Sequence, residues 1–330
     1  MGGTRRRLLG LLGAALAAAP FSAIAQPAQK LHRIGILDQS SADSGRLDWW
    51  KAFRERLREL GYIEGQQVAY ESRFVGGKAE QVRAFAAELV KLKVDLIVTA
   101  GTPAAAAAKQ ATSEIPIVMT TGTDPVAVGL VKNLARPGGN LTGVTSITSV
   151  LSGKRVELLK VFVPGVSRVG LLLDESNPAS RLAARETEAT AAALGMTVIA
   201  HDISSPAGYD DVFKALRHER AQAVIVISSA TTFSQRKRLA ELAVKHHLAA
   251  VTGSREYAQA GGLISYGTDY PHLFRRAAEY ADKIFKGARP GDLPIELPSK
   301  FELVVNLKTA KALGIKIPQS VLVRADEVIQ

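Results

Sequence analysis

Residues 94–110 read VDLIVTAGTPAAAAAKQ: an apolar run, a glycine, a hydroxyl, a proline and then little but alanine. The near-continuous apolar run is that of a parallel strand covered on both faces. Thr102 suits a helix N-cap and Pro103 the first helical position, so the spacing predicts a helix whose free N–H groups face outward from the strand end. Such an end attracts anions. A phosphate fits badly, because no GxxxxGK[ST] occurs and Lys109 lies nearly two turns into the helix, away from its positive end. A carboxylate fits better. The alternative reading of the same residues is a tight β-α turn whose helix packs closely through alanine.

The pattern extends outward on both sides. Strand-like runs recur at RIGILD (33–38), VAYESRF (68–74) and IPIVMT (115–120), separated by helical patterns over 48–60 and 79–92. A glycine-rich stretch, ARPGGNLTGVTS (135–146), interrupts the series. It then restarts at RVGLLLD (168–174), MTVIAHDI (196–203), AVIVISS (223–229) and LAAVTGS (248–254). In each half the first strand ends in an acid, Asp38 or Asp174, and the third ends in small hydroxylic residues. This faint repeat predicts an α/β protein with two doubly wound parallel-sheet lobes. Ligands of open α/β sheets sit beyond the carboxyl ends of the strands. Thr99, Gly101 and Thr102 would then face Ser228, Ser229 and Thr231 across one cleft.

Composition narrows the class. The chain has 330 residues, 47% of them hydrophobic, and can bury a sizeable core. Its first 25 residues carry Arg5, Arg6 and Arg7, an apolar stretch from Leu8 to Ala19 and an Ala23-Ile24-Ala25 cleavage pattern. That pattern predicts a removable secretory leader, too short in its apolar part for a membrane span. The arginines also loosely resemble a twin-arginine signal, so the export route stays open. A periplasmic location follows, with cleavage near Ala25. There is no cysteine, which excludes disulfides, cysteine–metal sites and a lipid on a cleavage-site thiol. The formal charge of +11 is scattered over many helical segments rather than gathered in a stripe, so nucleic acid is not an expected partner.

Catalytic motifs are missing. There is no G-x-S-x-G, no HExxH and no GxGxxG, and the six histidines form no metal pattern. His246 and His247 close a helix, where a cation offsets the dipole. Glu55 and Glu59 lie among arginines, as on a salt-bridged surface face. No cofactor, metal or catalytic residue is expected.

Two longer stretches carry more specific information. GSREYAQAGGLISYGTDYPHLF (253–274), with the text that follows it, and DPVAVGLVKNLARPGGNLTGVT (124–145) closely resemble the ABC-transporter substrate-binding protein family, whose better-known members are tryptophan/tyrosine-type binding proteins. The likeness covers essentially the whole mature chain. It implies the type I periplasmic-binding-protein fold: two lobes joined by three crossovers, a small molecule in the cleft, a membrane permease of an ABC transporter as partner, and no catalysis. A monomer is expected. The lobes are placed at 31–142 with 273–303 and at 143–272 with 304–330. The crossovers fall at NLTGVTS (140–146), GTDYPHL (267–273) and FELVVN (301–306), with glycines 138, 139 and 143 suited to a hinge.

The resemblance also implies ligand-binding positions: Gln39 and Ser40 after the first strand, then Thr99, Gly101 and Thr102 in TAGT. Thr121 and Asp124 follow in TTGTDP, Asn177 in SNP, and Ser228 and Ser229 in SSA. Glu256 and Tyr257 come from REY, Tyr266 and Asp269 from SYGTD. If the solute is an amino acid, Asp124 or Glu256 would meet its ammonium. Two other readings remain for the sequence alone, an exported sensor module of a signalling receptor and an exported enzyme with an interlobe site.

Overall fold

A computed structural model describes residues 30–42, 45–76 and 79–330, so the leader expected at 1–25 lies outside the described residues. The first half alternates as its hydrophobic periods require: β1 (His32–Asp38), α1 (Leu47–Glu59), β2 (Val68–Phe74), α2 (Ala79–Lys91), β3 (Leu96–Ala100), α3 (Thr102–Ala111), β4 (Ile117–Gly122) and β5 (Leu141–Thr145). Its five strands pair in the order β2-β1-β3-β4-β5, all parallel. Every residue of β3 and β4 is buried, as strands with helices on both faces should be.

The second half repeats the plan with α4 (Thr148–Phe162), β6 (Arg168–Leu173), α5 (Pro178–Ala193), β7 (Thr197–Asp202), α6 (Tyr209–His218) and β8 (Ala223–Val226). It continues through α7 (Ala230–Ser234), α8 (Arg236–Lys245), β9 (Ala249–Thr252), α9 (Arg255–Gln259) and β10 (Ile264–Thr268). After α10 (Tyr270–Phe285) come β11 (Phe301–Asn306), α11 (Leu307–Ala312), α12 (Gln319–Leu322) and β12 (Glu327–Ile329). This sheet runs β12-β11-β10-β9-β8-β6-β7. β11 lies antiparallel to β10, with Ile264 opposite Val305, so the second sheet is mixed rather than wholly parallel. The reversal arises because the chain enters β11 from the far lobe.

The chain passes between the sheets three times. It leaves β5 for α4, which packs on α5; it leaves β10 for α10, which packs on α1; and it returns through residues 297–300 into β11. Before that return, Glu296 pairs with β5: its amide donates to the Gly143 carbonyl and its carbonyl accepts from Thr145, both at 3.0 Å. Thr268 Oγ1 donates to the Ser146 carbonyl at 3.0 Å, tying two passes together. Gly143 is needed at its place in β5. Its φ is +126°, and a Cβ there would lie 2.3 Å from the Met119 carbonyl oxygen of β4.

Helices α1 and α10 show how the sequence builds the first lobe. Trp49, Trp50, Phe53 and Leu57 recur on one face of α1 and pack against Phe274, Ala277, Ala278 and Ala281 of α10. Arg56 and Glu279 pair at 2.9 Å beside that seam, and Arg275 and Glu59 at 2.7 Å. Phe233, from the second half of the chain, joins this same apolar cluster.

Candidate functional site

The cleft begins at strand ends. Gln39 follows β1, Gly101 and Thr102 follow β3, Thr121 closes β4 and Ser146 follows β5. From the other sheet, Asn177 follows β6, Ser228 and Ser229 follow β8, Thr252 ends β9 and Ser254 holds the N-cap position of α9. All line one cavity, at the carboxyl edges of both sheets. Its volume is about 60 Å³. One water needs roughly 10–15 Å³, so a few waters can occupy it.

Local backbone chemistry puts helix starts on this wall. The N-cap of α3 is Gly101, not Thr102 as the sequence suggests. Its φ of +99° is open to glycine and strained for a threonine, so Thr102 becomes the first helical residue and Pro103 the second. The Gly101 amide donates to Thr121 Oγ1 at 2.9 Å, and Thr102 Oγ1 accepts from the Thr123 amide at 3.1 Å. The Thr102 amide itself has no acceptor among the described residues. Across the cleft, Asn177 caps α5 by accepting from Ala179 at 3.0 Å. Ser229 and Thr232 form a reciprocal capping box on α7.

Side chains from helices complete the lining. Arg46, preceding α1, donates from Nη1 to Asp38 Oδ1 at 3.0 Å, and both are buried. Asp38 also accepts from the Ser40 amide and hydroxyl and from Trp50 Nε1, each at 2.8 Å. Trp49 stacks on Tyr270 with ring centres 4.4 Å apart and meets Phe233 at 4.6 Å. Its Nε1 donates to Glu256 Oε1 at 2.7 Å, joining α1 to α9 across the lobes. Burial pushes the Glu256 carboxyl above its ordinary range, and its Oε2 is buried without a partner among the described residues. Behind the cavity, Arg155 is fully buried and donates from Nε to the Tyr266 carbonyl at 2.8 Å; burial pulls it down to about 10. Tyr257 lines the cavity with its hydroxyl buried and unpartnered, and burial raises that hydroxyl's pKa.

The positions named from sequence divide into two groups. Gln39, Gly101, Thr102, Thr121, Asn177, Ser228, Ser229 and Tyr257 lie together on the cavity wall. The others sit elsewhere. Ser40 bonds Asp38, Thr99 is buried within β3, and Asp124 accepts from Ala127 at 3.1 Å to close its own turn. Glu256 stands behind Trp49, Tyr266 packs near Phe301, and Asp269 caps α10 by accepting from His272 at 2.9 Å. Among the described residues lining the cavity, none is Asp or Glu.

Arg46, Trp49, Phe233, Arg236 and Tyr270 also line the cavity and are absent from the positions named from sequence. Arg46 holds the N-cap position of α1 and the other four lie on helices rather than in strand-end loops, and Tyr270 reaches the cleft only because α10 crosses to the first lobe. The available signal was GRLDWW (45–50), an arginine followed by two tryptophans just after the strand-end acid Asp38.

Two doubly wound sheets facing each other across such a cavity define a two-lobed binding protein of the type I periplasmic class. The sequence profile described as ABC transporter substrate binding protein matches residues 34–329, and the chain belongs to that family. It is similar to a tyrosine-binding protein of Clostridioides difficile, 28% identical over 291 residues, 87% of this chain and 82% of that one. Among solved structures, one from Streptococcus pneumonia, described as an ABC domain in complex with L-Trp, superposes with a TM-score of 0.85 at 30% identity. It covers 91% of this chain and all of that one. The ligand-free, open structure of a Clostridium difficile substrate binding protein with adhesive properties gives 0.67 at 25% identity, covering 91% of this chain and 99% of that one.

Proposed function

We propose that this protein is the exported, periplasmic solute-binding component of an ABC import system. It holds a small carboxylate-bearing molecule, an aromatic amino acid foremost, and delivers it to a membrane permease without catalysis. The observation that carries this is the cavity between the strand ends, which combines anion-attracting donors with a wall of aromatic rings. Its relatives' ligands, tyrosine in one and L-Trp in the other, have both features. With no lining Asp or Glu among the described residues, the acceptors for an ammonium are hydroxyl and carbonyl oxygens.

Closure about the three chain passes accompanies binding. The better superposition on the L-Trp complex than on the open, ligand-free structure supports reading the arrangement as the closed one. Calorimetric titration with L-tryptophan, L-tyrosine and tryptamine tests the ligand class. The acids should bind and tryptamine should bind at least tenfold more weakly; equal affinity for tryptamine and tryptophan would remove the carboxylate from the account. X-ray scattering that stays unchanged at saturating ligand would remove closure.

A further inference from the structure

A guanidinium carries five N–H donors, yet among the described residues the acceptor of Arg46 is Asp38 Oδ1 alone, through Nη1. Arg46 is only 7% exposed, and its Nε is buried without a partner among the described residues. An unmet buried donor is destabilising, more so on a charged group. A side chain held in that condition on a cavity wall calls for an acceptor delivered from the cavity.

The surroundings fix where that acceptor must come. Asp38 is already gripped by Ser40 and Trp50, so it holds one edge of Arg46 in a set orientation. The guanidinium carbon lies 5.2 Å from the Trp49 ring centre and 5.3 Å from that of Phe233, which limit its swing from both lobes. Arg236, the other lining arginine, donates from Nη1 to the Phe233 carbonyl at 3.0 Å.

We propose that Arg46 is the anion-holding side chain of the cavity, taking the ligand's carboxylate on the donors that Asp38 leaves open. The inference rests on the reading that a carboxylate-bearing solute occupies this site, and it assigns the contact to a residue of the α1 entry rather than to the α3 start alone. Planar, bidentate geometry makes arginine the better holder of a carboxylate than lysine.

The test follows the Arg46 Nε–Hε resonance in ¹⁵N-labelled mature protein, assigned by its loss in Arg46→Lys. Sodium formate, a carboxylate with no side chain, is titrated first, then L-tryptophan. The resonance should move with either, and tryptamine should leave it in place. Arg46→Gln should weaken L-tryptophan binding at least tenfold, with Arg46→Lys weakened less. The proposal is overturned if the resonance stays fixed up to the highest formate concentration that leaves the fold intact and at saturating L-tryptophan. A folded Arg46→Gln variant that binds L-tryptophan as tightly as the wild type overturns it too. If Arg46→Gln does not fold, the wild-type resonance decides. Should formate move the resonance while neither tryptophan nor tyrosine binds, the Arg46 contact stands and the aromatic amino-acid reading fails.

Discussion

The Trp49–Glu256 hydrogen bond joins the two lobes behind the cavity, and its removal has a calculable effect. Trp49→Phe keeps a ring against Tyr270 and Phe233 but loses the Nε1 donor that reaches Glu256 Oε1 at 2.7 Å. A hydrogen bond to a charged group contributes about 1.5–3 kcal/mol, and its loss leaves a buried carboxylate whose Oε2 already has no partner. Trp49→Phe should therefore destabilise the ligand-free protein by about 2 kcal/mol, plus a smaller amount for the lost ring volume. Glu256→Gln keeps an oxygen acceptor for Trp49 and removes the buried charge, so at neutral pH it should cost far less. In the double variant the carboxylate that Trp49→Phe strands is gone. The two changes should then be non-additive, with a coupling of about 1 kcal/mol or more. Urea denaturation of wild type, both single variants and the double variant at pH 7 measures this, provided the slopes agree. Effects that add to within about 0.3–0.5 kcal/mol would refute the reasoning.

Three further outcomes follow from the same structure. Burial raises the Glu256 carboxyl above its ordinary 4.5, so the folded protein binds that proton more readily than the unfolded chain. Its contribution is complete below about pH 4.5 and declines as pH rises through the higher folded-state value; Glu256→Gln should remove that component from a denaturation series run across pH 4–7. Gly143→Ala forces a Cβ to within 2.3 Å of the Met119 carbonyl oxygen at a φ of +126°, so it should destabilise by about 1–3 kcal/mol or more, read as a lower urea midpoint. Asp38→Asn weakens the grip on Arg46 and Trp50, and should lower affinity for L-tryptophan in calorimetry while leaving tryptamine binding unaltered.

Much of the architecture was readable because both sheets are built from apolar runs of strand length separated by helix-period segments, as in VDLIVTA and RVGLLLD. Half of the cleft was readable for the same reason: topology places strand-end residues such as Gly101, Thr121 and Ser228 at a crevice before any side chain is placed. Three features were not. The cap at Gly101 depends on a backbone φ that the local sequence leaves open, since Thr102-Pro103 is an equally good helix start on propensity alone. The antiparallel β11 depends on which lobe the chain returns from, a long-range fact. The helix-borne wall of Arg46, Trp49, Phe233 and Tyr270 depends on the closeness of the lobes, which no local pattern encodes. Glu256 shows the converse: a motif brought it near the cleft, and packing set Trp49 in front of it.

The central claim is that a small carboxylic acid occupies the cavity between the lobes. Native mass spectrometry of the purified protein, with the co-purified molecule then released and identified, tests it most directly. The account predicts a one-to-one complex with a carboxylate-bearing solute that added L-tryptophan or L-tyrosine displaces. A co-purified ligand with no carboxylate, undisturbed by either amino acid, would contradict it.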